Sequence, residues 1–278
     1  MARSKSLPTA ARFYLVLMGL FLVGPFVPLV IQSFAFQWDW PNLLPSEWWF
    51  TARDRARLPL GWDYVLSPYS RLGEAVVNTV VIGGATTLIC LAICLSAARV
   101  LAREQFAGKR AVEFYLSLPL IVPEAAVGLA LSVIFVRVGL AGSYAGIIIA
   151  HLIPTIPYMV RLLTAVYQGL DPGFEEQARV LGANRLQALR LVTMPMLLPG
   201  ILAGCLFTFL VSTNLFLLTF LLGQGKIITV PTLLFAKIAG GSLDASAAGI
   251  ALVATLPGIA LLLVSERLLD GRIGMVAR

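Results

Sequence analysis

Residues 171–196, with the sequence DPGFEEQARVLGANRLQALRLVTMPM, form a charged segment between two long apolar stretches of the chain. The stretch before it, Val138–Val160, and the stretch that overlaps its end, Leu191–Gly225, contain no charged residue. A helix needs about 20 mostly apolar residues to cross a bilayer, so each stretch is long enough to span a membrane. The charged segment is therefore predicted to be a loop outside the membrane that connects two spanning helices.

Further apolar stretches bring the predicted number of membrane-spanning helices to six. They are Phe13–Trp38, Ala75–Ala98, Phe114–Val136 and Ala245–Ser265. Glu124, which lies near the middle of the third span, is the only charged residue within the six. We therefore predict an all-α polytopic membrane protein with six transmembrane helices.

The composition excludes several classes of protein. Of the 278 residues, 59% are hydrophobic and 13% are charged, whereas ordinary soluble domains contain about 25% charged residues. So few charges cannot cover a soluble surface, which excludes a soluble enzyme, a disordered chain and a disulfide scaffold. The net charge of +7 comes from Lys and Arg residues that are scattered singly, so we expect no binding to nucleic acid.

Residues that carry metal or catalytic chemistry are sparse in the sequence. His151 is the single histidine, which excludes a site with several histidine ligands, and the three cysteines lie within apolar stretches, where we expect them to pack. The pattern Gly-x-x-x-x-Gly-Lys-Ser/Thr, which cradles ATP phosphates, does not occur in the sequence. We predict that the chain has no catalytic residue, metal site or cofactor of its own and is not an enzyme.

The distribution of Lys and Arg predicts the orientation in the membrane. With both termini in the cytoplasm, 14 of the 21 Lys and Arg residues lie in cytoplasmic segments, which are enriched in positive charge in membrane proteins. The long loop Asp39–Gly73 then lies on the opposite face. Its four prolines indicate an ordered segment with short helical turns, or else a plain linker. Tryptophans that can anchor this region at the interface are Trp38, Trp40, Trp48, Trp49 and Trp62.

The charged loop carries the signals of a short amphipathic helix. Asp171-Pro172 is typical of a helix start, and Glu175-Glu176 suits the positive end of the helix dipole. Gly182 is typical of a helix end, and a second short helix is predicted at Arg185–Val192. Apolar residues of the first helix share one face: Phe174, Ala178 and Leu181. An apolar face of this kind outside the membrane suits a groove on another protein.

The same loop resembles the motif of a known family. Glu176-Gln177-Ala178-x-x-x-Gly182, followed after nine residues by Val192-Thr193-Met194-Pro195, is similar to the EAA loop of permease subunits in binding-protein-dependent ABC importers. The chain departs from that motif at Gln177, Val192 and Met194, where the family has alanine, isoleucine and leucine. The resemblance covers roughly residues 74–269, and the branch it most resembles is the spermidine/putrescine type with its relatives for aminoalkylphosphonates.

The resemblance implies the type I ABC importer transmembrane fold in the bacterial inner membrane, with both termini cytoplasmic. It implies an N-terminal helix and external loop at residues 1–73 and a cytoplasmic tail at 270–278. The permease core, residues 74–269, would contain five spanning helices and a cytoplasmic coupling loop at 161–195.

Partners also follow from the resemblance. Two cytoplasmic ATPase subunits would bind ATP and magnesium, and a second permease subunit, which the branch favours as a different chain, would complete the path. A periplasmic or lipid-anchored binding protein would deliver a small polar solute, such as a polyamine or an aminoalkylphosphonate. Glu176 would pair with a basic group of the ATPase, and Gly182 would provide the turn between the two short helices. The residues implied for coupling to the ATPase are Phe174, Glu175, Glu176, Ala178, Leu181 and Gly182.

Four polar residues inside the predicted spans are candidates for lining a translocation path: Glu124, His151, Ser212 and Asn214. A charged side chain in the membrane costs about 2.5–3.5 kcal/mol on insertion scales, so Glu124 should face protein or water, where it could attract a cationic solute. The alternatives are a local hydrogen bond for Glu124 beside Pro123 and interhelical contacts for the other three. Asn214 stands where polyamine-type relatives often carry an acid, which is a departure from that branch.

Two other functions compete with that of an importer subunit. A secondary transporter that works alone would need inverted repeats and several charged residues in the membrane, whereas Glu124 is the single one. The other is a membrane enzyme or an assembly scaffold; an enzyme would need acid, base or metal ligands clustered at one depth, and the sequence shows none.

Overall fold

The computed structural model describes residues 8–39, 41–241 and 243–276, with side chains as far as residue 263. Some residues used for the predicted orientation lie outside the described residues: Arg3, Lys5, Trp40 and Arg278. The predicted tail at 270–278 lies beyond the last described side chain. The chain divides into two compact units, one formed by residues up to 73 with 234–255 and the other by residues 74–233 with those from 256 onward.

The first unit begins with an apolar span, α1 (Thr9–Val23) followed by α2 (Phe26–Ser33). Pro25 lies between them and cannot donate a backbone hydrogen bond, which accounts for the break. A short antiparallel ribbon follows, in which β1 (Ala35–Gln37) pairs with β2 (Glu47–Trp48).

The loop after the first span contains short helices, in agreement with the ordered segment predicted there. These are α3 (Trp49–Ala52), a 3₁₀ turn (Arg53–Arg55), α4 (Gly61–Val65) and a 3₁₀ turn (Pro68–Ser70). The Trp49 indole N–H donates to the Leu60 carbonyl at 2.8 Å, and this bond joins the first residue of α3 to the residue before α4.

The second unit is helical throughout its described elements. They are α5 (Leu72–Arg103), α6 (Lys109–Ser117), a 3₁₀ turn (Leu118–Leu120), α7 (Glu124–Arg137), α8 (Tyr144–Gly169), α9 (Gly173–Val180), α10 (Arg185–Ala188), a π-helical turn (Leu189–Thr193), α11 (Met194–Asn214) and α12 (Phe216–Gly223). Two further helices, α13 (Val230–Ala239) and α14 (Ala245–Val276), contain residues of both units.

Among the described residues, five helical segments are long and apolar enough to cross a membrane: Thr9–Ser33, Leu72–Arg103, Tyr144–Gly169, Arg185–Asn214 and Ala245–Leu263. A sixth span is possible if Lys109–Leu120 and Glu124–Arg137, which are bent by 92°, cross together. These five or six spans agree with the predicted six, but the third is not one continuous helix. Pro123 precedes α7 and disfavours helical geometry at the residue before it, which accounts for the bend.

Helices α5, α8 and α11 pack around a buried core in the second unit. Cys90 and Cys94 lie there as free, fully buried thiols, so the structure confirms that they pack within the apolar region. Glycines let α8 and α11 approach closely: a Cβ on Gly200 would lie 2.5 Å from Val166. Residues of α12 pack in a second buried core with Phe135 of α7 and Ile147 of α8.

Candidate functional site

The charged loop folds into the short helix that its sequence predicts. The helix α9 begins at Gly173, whose N–H donates to the Asp171 carboxylate at 2.9 Å. It ends at Val180, and Gly182, two residues further on, has a φ of +91°, a conformation that glycine adopts without strain. The N–H groups of Gly182 and Ala183 donate to the carbonyls of Arg179 and Ala178, the paired bonds of a Schellman motif. We call α9 the loop helix.

A capping box starts the second short helix of the loop and was missed in the sequence. The Asn184 side chain accepts the Gln187 N–H at 2.9 Å, and the Gln187 side chain accepts the Asn184 N–H at the same distance. The signal was present as Asn-x-x-Gln at residues 184–187. The predicted helix Arg185–Val192 is divided between α10 and the π-helical turn that leads into α11.

The two neighbouring glutamates of the loop helix point to different surroundings. The Glu175 carboxylate is largely covered, forms an ion pair with Arg99 at 2.9 Å and accepts the Thr193 hydroxyl at 2.8 Å. Glu176 is exposed. Glu175, predicted as a residue that couples to the ATPase, therefore contacts its own chain, and Glu176 is the glutamate free to meet a partner.

The surroundings of Glu175 favour its charged form. Burial alone would raise its pKa, but the hydrogen bond from Thr193 and the positive charge of Arg99 outweigh burial. The pKa of the Glu175 carboxyl is therefore lowered from its ordinary value of about 4.5. The ion pair persists at neutral pH.

An apolar cluster is exposed on the loop. Leu181 is 88% exposed, and Ala178, which the sequence placed on the same face, is half-buried. The large exposed apolar side chains between residues 171 and 190 are Phe174, Val180, Leu181 and Leu186. Phe174, Val180 and Leu181 lie outside the candidate spans, and Leu186 lies in the first turn of one, so such a cluster indicates a surface that another protein covers. We call these four residues the loop cluster.

His151 joins the two sides of a helix break. Its Nδ1 lies 2.9 Å from the Ser212 hydroxyl in α11, and its Nε2 lies 2.9 Å from the Thr219 hydroxyl in α12. The histidine and both hydroxyl residues are buried. The structure therefore supports the interhelical hydrogen-bond alternative for His151 and Ser212, and Thr219 is a partner that the sequence did not reveal.

Glu124 lies at the break between the two helices of the third predicted span, near the middle of that span if both helices cross together. It is the first residue of α7, directly after the bend, and its carboxylate accepts the Leu218 N–H at 3.2 Å. Leu218 lies in the first turn of α12, where N–H groups have no partner within the helix. Asn214 is exposed, and its side chain donates to the Leu210 carbonyl of its own helix. We call the region around His151, Ser212, Thr219, Glu124 and Leu218 the break junction.

A family model described as "Binding-protein-dependent transport system inner membrane component" matches residues 91–274, which include the whole loop and the break junction. The chain belongs to this family. It is a non-catalytic, multi-pass permease subunit of an ABC importer of the bacterial inner membrane, and it works with a binding protein and a separate ATPase. The family does not support the alternatives of a stand-alone secondary transporter or a membrane enzyme.

Individual relatives of the permease subunit carry anion-related names. It is 34% identical to the molybdate/tungstate transport system permease protein WtpB of Thermococcus kodakarensis, over 49% of this chain and 54% of that protein. It is 29% identical to the molybdenum transport system permease protein ModB of Escherichia coli K12, over 69% of this chain and 91% of that protein. It is 31% identical to the sulfate transport system permease protein CysT of Salmonella typhimurium, over 53% of this chain and 57% of that protein.

The fold also matches a solved transporter structure. A bacterial ABC transporter involved in the import of the acidic polysaccharide alginate shares a TM-score of 0.68 at 20% identity, over 95% of this chain and 99% of that one. The match supports the type I importer fold that the sequence predicts. The relatives named here do not support the polyamine-type branch that the sequence suggested.

Proposed function

We propose that this permease subunit forms half of a translocation path for a tetrahedral oxyanion of the molybdate, tungstate or sulfate class. The observation that carries the proposal is the shared description of its relatives, which are permeases for molybdenum, for molybdate or tungstate, and for sulfate. The proposal replaces the polyamine or aminoalkylphosphonate expected from the sequence. A second permease subunit would complete the path.

The position of Glu124 weakens the argument for a cationic solute. A cation importer would benefit from a free carboxylate in the path, and Glu124 is the one carboxylate within the predicted spans. One of its two oxygens instead accepts the Leu218 N–H at the start of α12. Because the helix dipole already compensates its charge, Glu124 in this position attracts a cation weakly.

The loop cluster supports coupling to an ATPase on the cytoplasmic face. In the proposed assembly two ATPase subunits bind ATP and magnesium, and each receives one loop helix in a groove. Leu181 and its exposed neighbours would fill that groove, and Glu176 would pair with a basic group. A periplasmic or lipid-anchored binding protein would deliver the solute at the opposite face.

Uptake by the reconstituted importer tests the proposed solute. The tagged chain is purified from native membranes with its partners, placed in vesicles with ATP inside, and supplied with the binding protein. We expect ATP-dependent uptake of labelled molybdate or sulfate and none of labelled spermidine. Uptake of spermidine alone would overturn the oxyanion proposal, and recovery of the chain without an ATPase would overturn the proposed coupling.

A charge placed in the loop cluster tests the proposed docking surface. Leu181→Asp should weaken ATPase binding by at least about tenfold, since a carboxylate would be buried without a partner in the groove. The matched control is Leu58→Asp, which changes another exposed leucine, in the loop between the first two spans. Binding is measured by pull-down of the ATPase in mild detergent. Equal binding by both variants would contradict docking through this cluster.

A further inference from the structure

The Glu175 carboxylate connects three separate elements of the second unit. Its Oε2 lies 2.9 Å from the Arg99 guanidinium, in the last turns of α5, and its Oε1 accepts the Thr193 hydroxyl at 2.8 Å. Thr193 is the last residue of the π-helical turn that leads into α11. Each oxygen thus holds one partner, and each partner belongs to the end of a different candidate span.

A second bond from α5 holds the start of the same loop. The Arg103 guanidinium donates to the Leu170 carbonyl, directly after α8, at 2.7 Å. Arg99 and Arg103 are four residues apart, so they lie on one face of α5. The end of α5 therefore binds both the first residue of the loop, Leu170, and the loop helix itself.

The burial of these groups makes the bonds stronger than a surface ion pair. Thr193 is 2% exposed and the Glu175 side chain is 20% exposed, whereas the Arg99 side chain is 43% exposed. A charge-assisted bond to a partly buried carboxylate is screened less by water than an exposed pair. The bonds can therefore transmit displacement between the elements they join.

We propose that Glu175 is a positioning residue that carries the movement of the loop helix to the ends of α5 and α11. The proposal rests on the proposed coupling to an ATPase, and it gives the two glutamates different tasks. Glu176 faces the partner, and Glu175 holds the loop helix to its own spans. Without Glu175 the ATPase would still bind the loop helix but would move it without moving the spans.

The test reads movement of the spans without using the solute. In a chain lacking the three native cysteines, Asn214→Cys places one exposed thiol at the end of α11. The complete complex with its ATPase is held in lipid nanodiscs, and maleimide labelling of this thiol is timed with and without ATP and vanadate. The parent complex should show an ATP-dependent change in labelling rate.

Glu175→Gln and the matched control Glu176→Gln are compared in this assay. We expect Glu175→Gln to retain the ATPase and its basal ATP hydrolysis while the ATP-dependent change in labelling falls by about tenfold. Glu176→Gln should weaken ATPase binding and leave the labelling change intact in the complexes that still form. A normal labelling change in Glu175→Gln, or loss of the ATPase from that variant, would overturn the proposal.

Exchanging the two charges of the Arg99–Glu175 pair distinguishes an ion pair that transmits movement from one that only supports the fold. Arg99→Glu alone should abolish the labelling change because it places two carboxylates together. The double variant Arg99→Glu with Glu175→Arg restores one ion pair and should recover part of the change. No recovery, in a double variant that still binds the ATPase, would overturn the role of the pair. Failure of oxyanion uptake in the parent importer would contradict only the proposed solute.

Discussion

The loop helix and the break junction are assembled from opposite kinds of contact. The bonds that start and end the short helices of the loop join residues two to five positions apart, as in the capping box of Asn184 and Gln187. In the break junction, His151 meets residues 61 and 68 positions away, and Glu124 meets one 94 positions away. Changes at the caps of the short loop helices should therefore act locally, whereas changes in the junction should affect the stability of the whole second unit.

The largest expected effect is that of His151→Ala. The variant loses two buried hydrogen bonds and leaves a cavity between α8 and the break, so the free energy of unfolding should fall by about 2–4 kcal/mol. Unfolding in detergent, followed by circular dichroism, measures the change. The control Asn214→Ala removes an exposed polar side chain near the same break and should stay within about 0.5 kcal/mol of the parent. Equal effects of the two variants would mean that burial in the junction does not matter.

A smaller effect is expected for Glu124→Ala, which leaves the Leu218 N–H without its acceptor. We expect a loss of about 1–3 kcal/mol in the free energy of unfolding. Glu124→Gln keeps an acceptor oxygen and should lose less than half as much in the same unfolding experiment. If the glutamine variant is as unstable as the alanine variant, the charge rather than the hydrogen bond supports the start of α12.

In the loop, Gly182→Ala should cost about 1 kcal/mol, because alanine is strained at a φ of +91° although the space around the glycine is open. Hydrogen exchange of the α9 amides should quicken while exchange in α11 stays unchanged. Gly182→Asn, which tolerates this conformation better, is the matched variant and should have a smaller effect. Faster exchange in α11 would break the distinction between a local loop and a global junction.

The smallest expected effect near neutral pH is the loss of loop-helix stability on protonation of Glu175. Because the pKa of Glu175 is lowered in the folded chain, its contribution to stability is complete above its ordinary value of about 4.5 and is lost as the pH falls through the folded value. Hydrogen exchange of the loop helix, corrected for intrinsic rates, should be constant from pH 8 to about pH 5.5 and quicken below about pH 4.5. Glu175 lines a groove between the end of α5 and the loop helix. The other charged residues that line this groove are Arg99, Arg103, Glu104, Glu176, Arg179 and Arg185.

Glu175→Gln distinguishes the contribution of Glu175 to this pH dependence from the contributions of the neighbouring charged residues. The variant should exchange quickly at neutral pH and show little further change on acidification, since the glutamine side chain does not titrate. A loop helix that still loosens below pH 4.5 in this variant would contradict the assignment of the acid response to Glu175.

Local sequence patterns were sufficient to predict the loop helix. Asp171, the apolar spacing of Phe174 and Leu181, and Gly182 each act on neighbours within a few residues, so their order in the sequence carries the information. The same patterns did not predict that the Glu175 side chain faces its own chain. Two adjacent glutamates have the same local signals, and only the ends of α5 and α11 decide which one is covered.

The sequence by itself determined the membrane class, the helical spans and the short amphipathic helix outside the membrane, because hydropathy and capping depend on residues close together in the chain. Tertiary structure alone decided that Glu124 caps the start of α12, that His151 bridges a helix break and that Glu175 clamps the loop helix to two spans. Those contacts depend on how α5, α7, α8, α11 and α12 pack, and a buried polar group takes whichever partner that packing brings within reach.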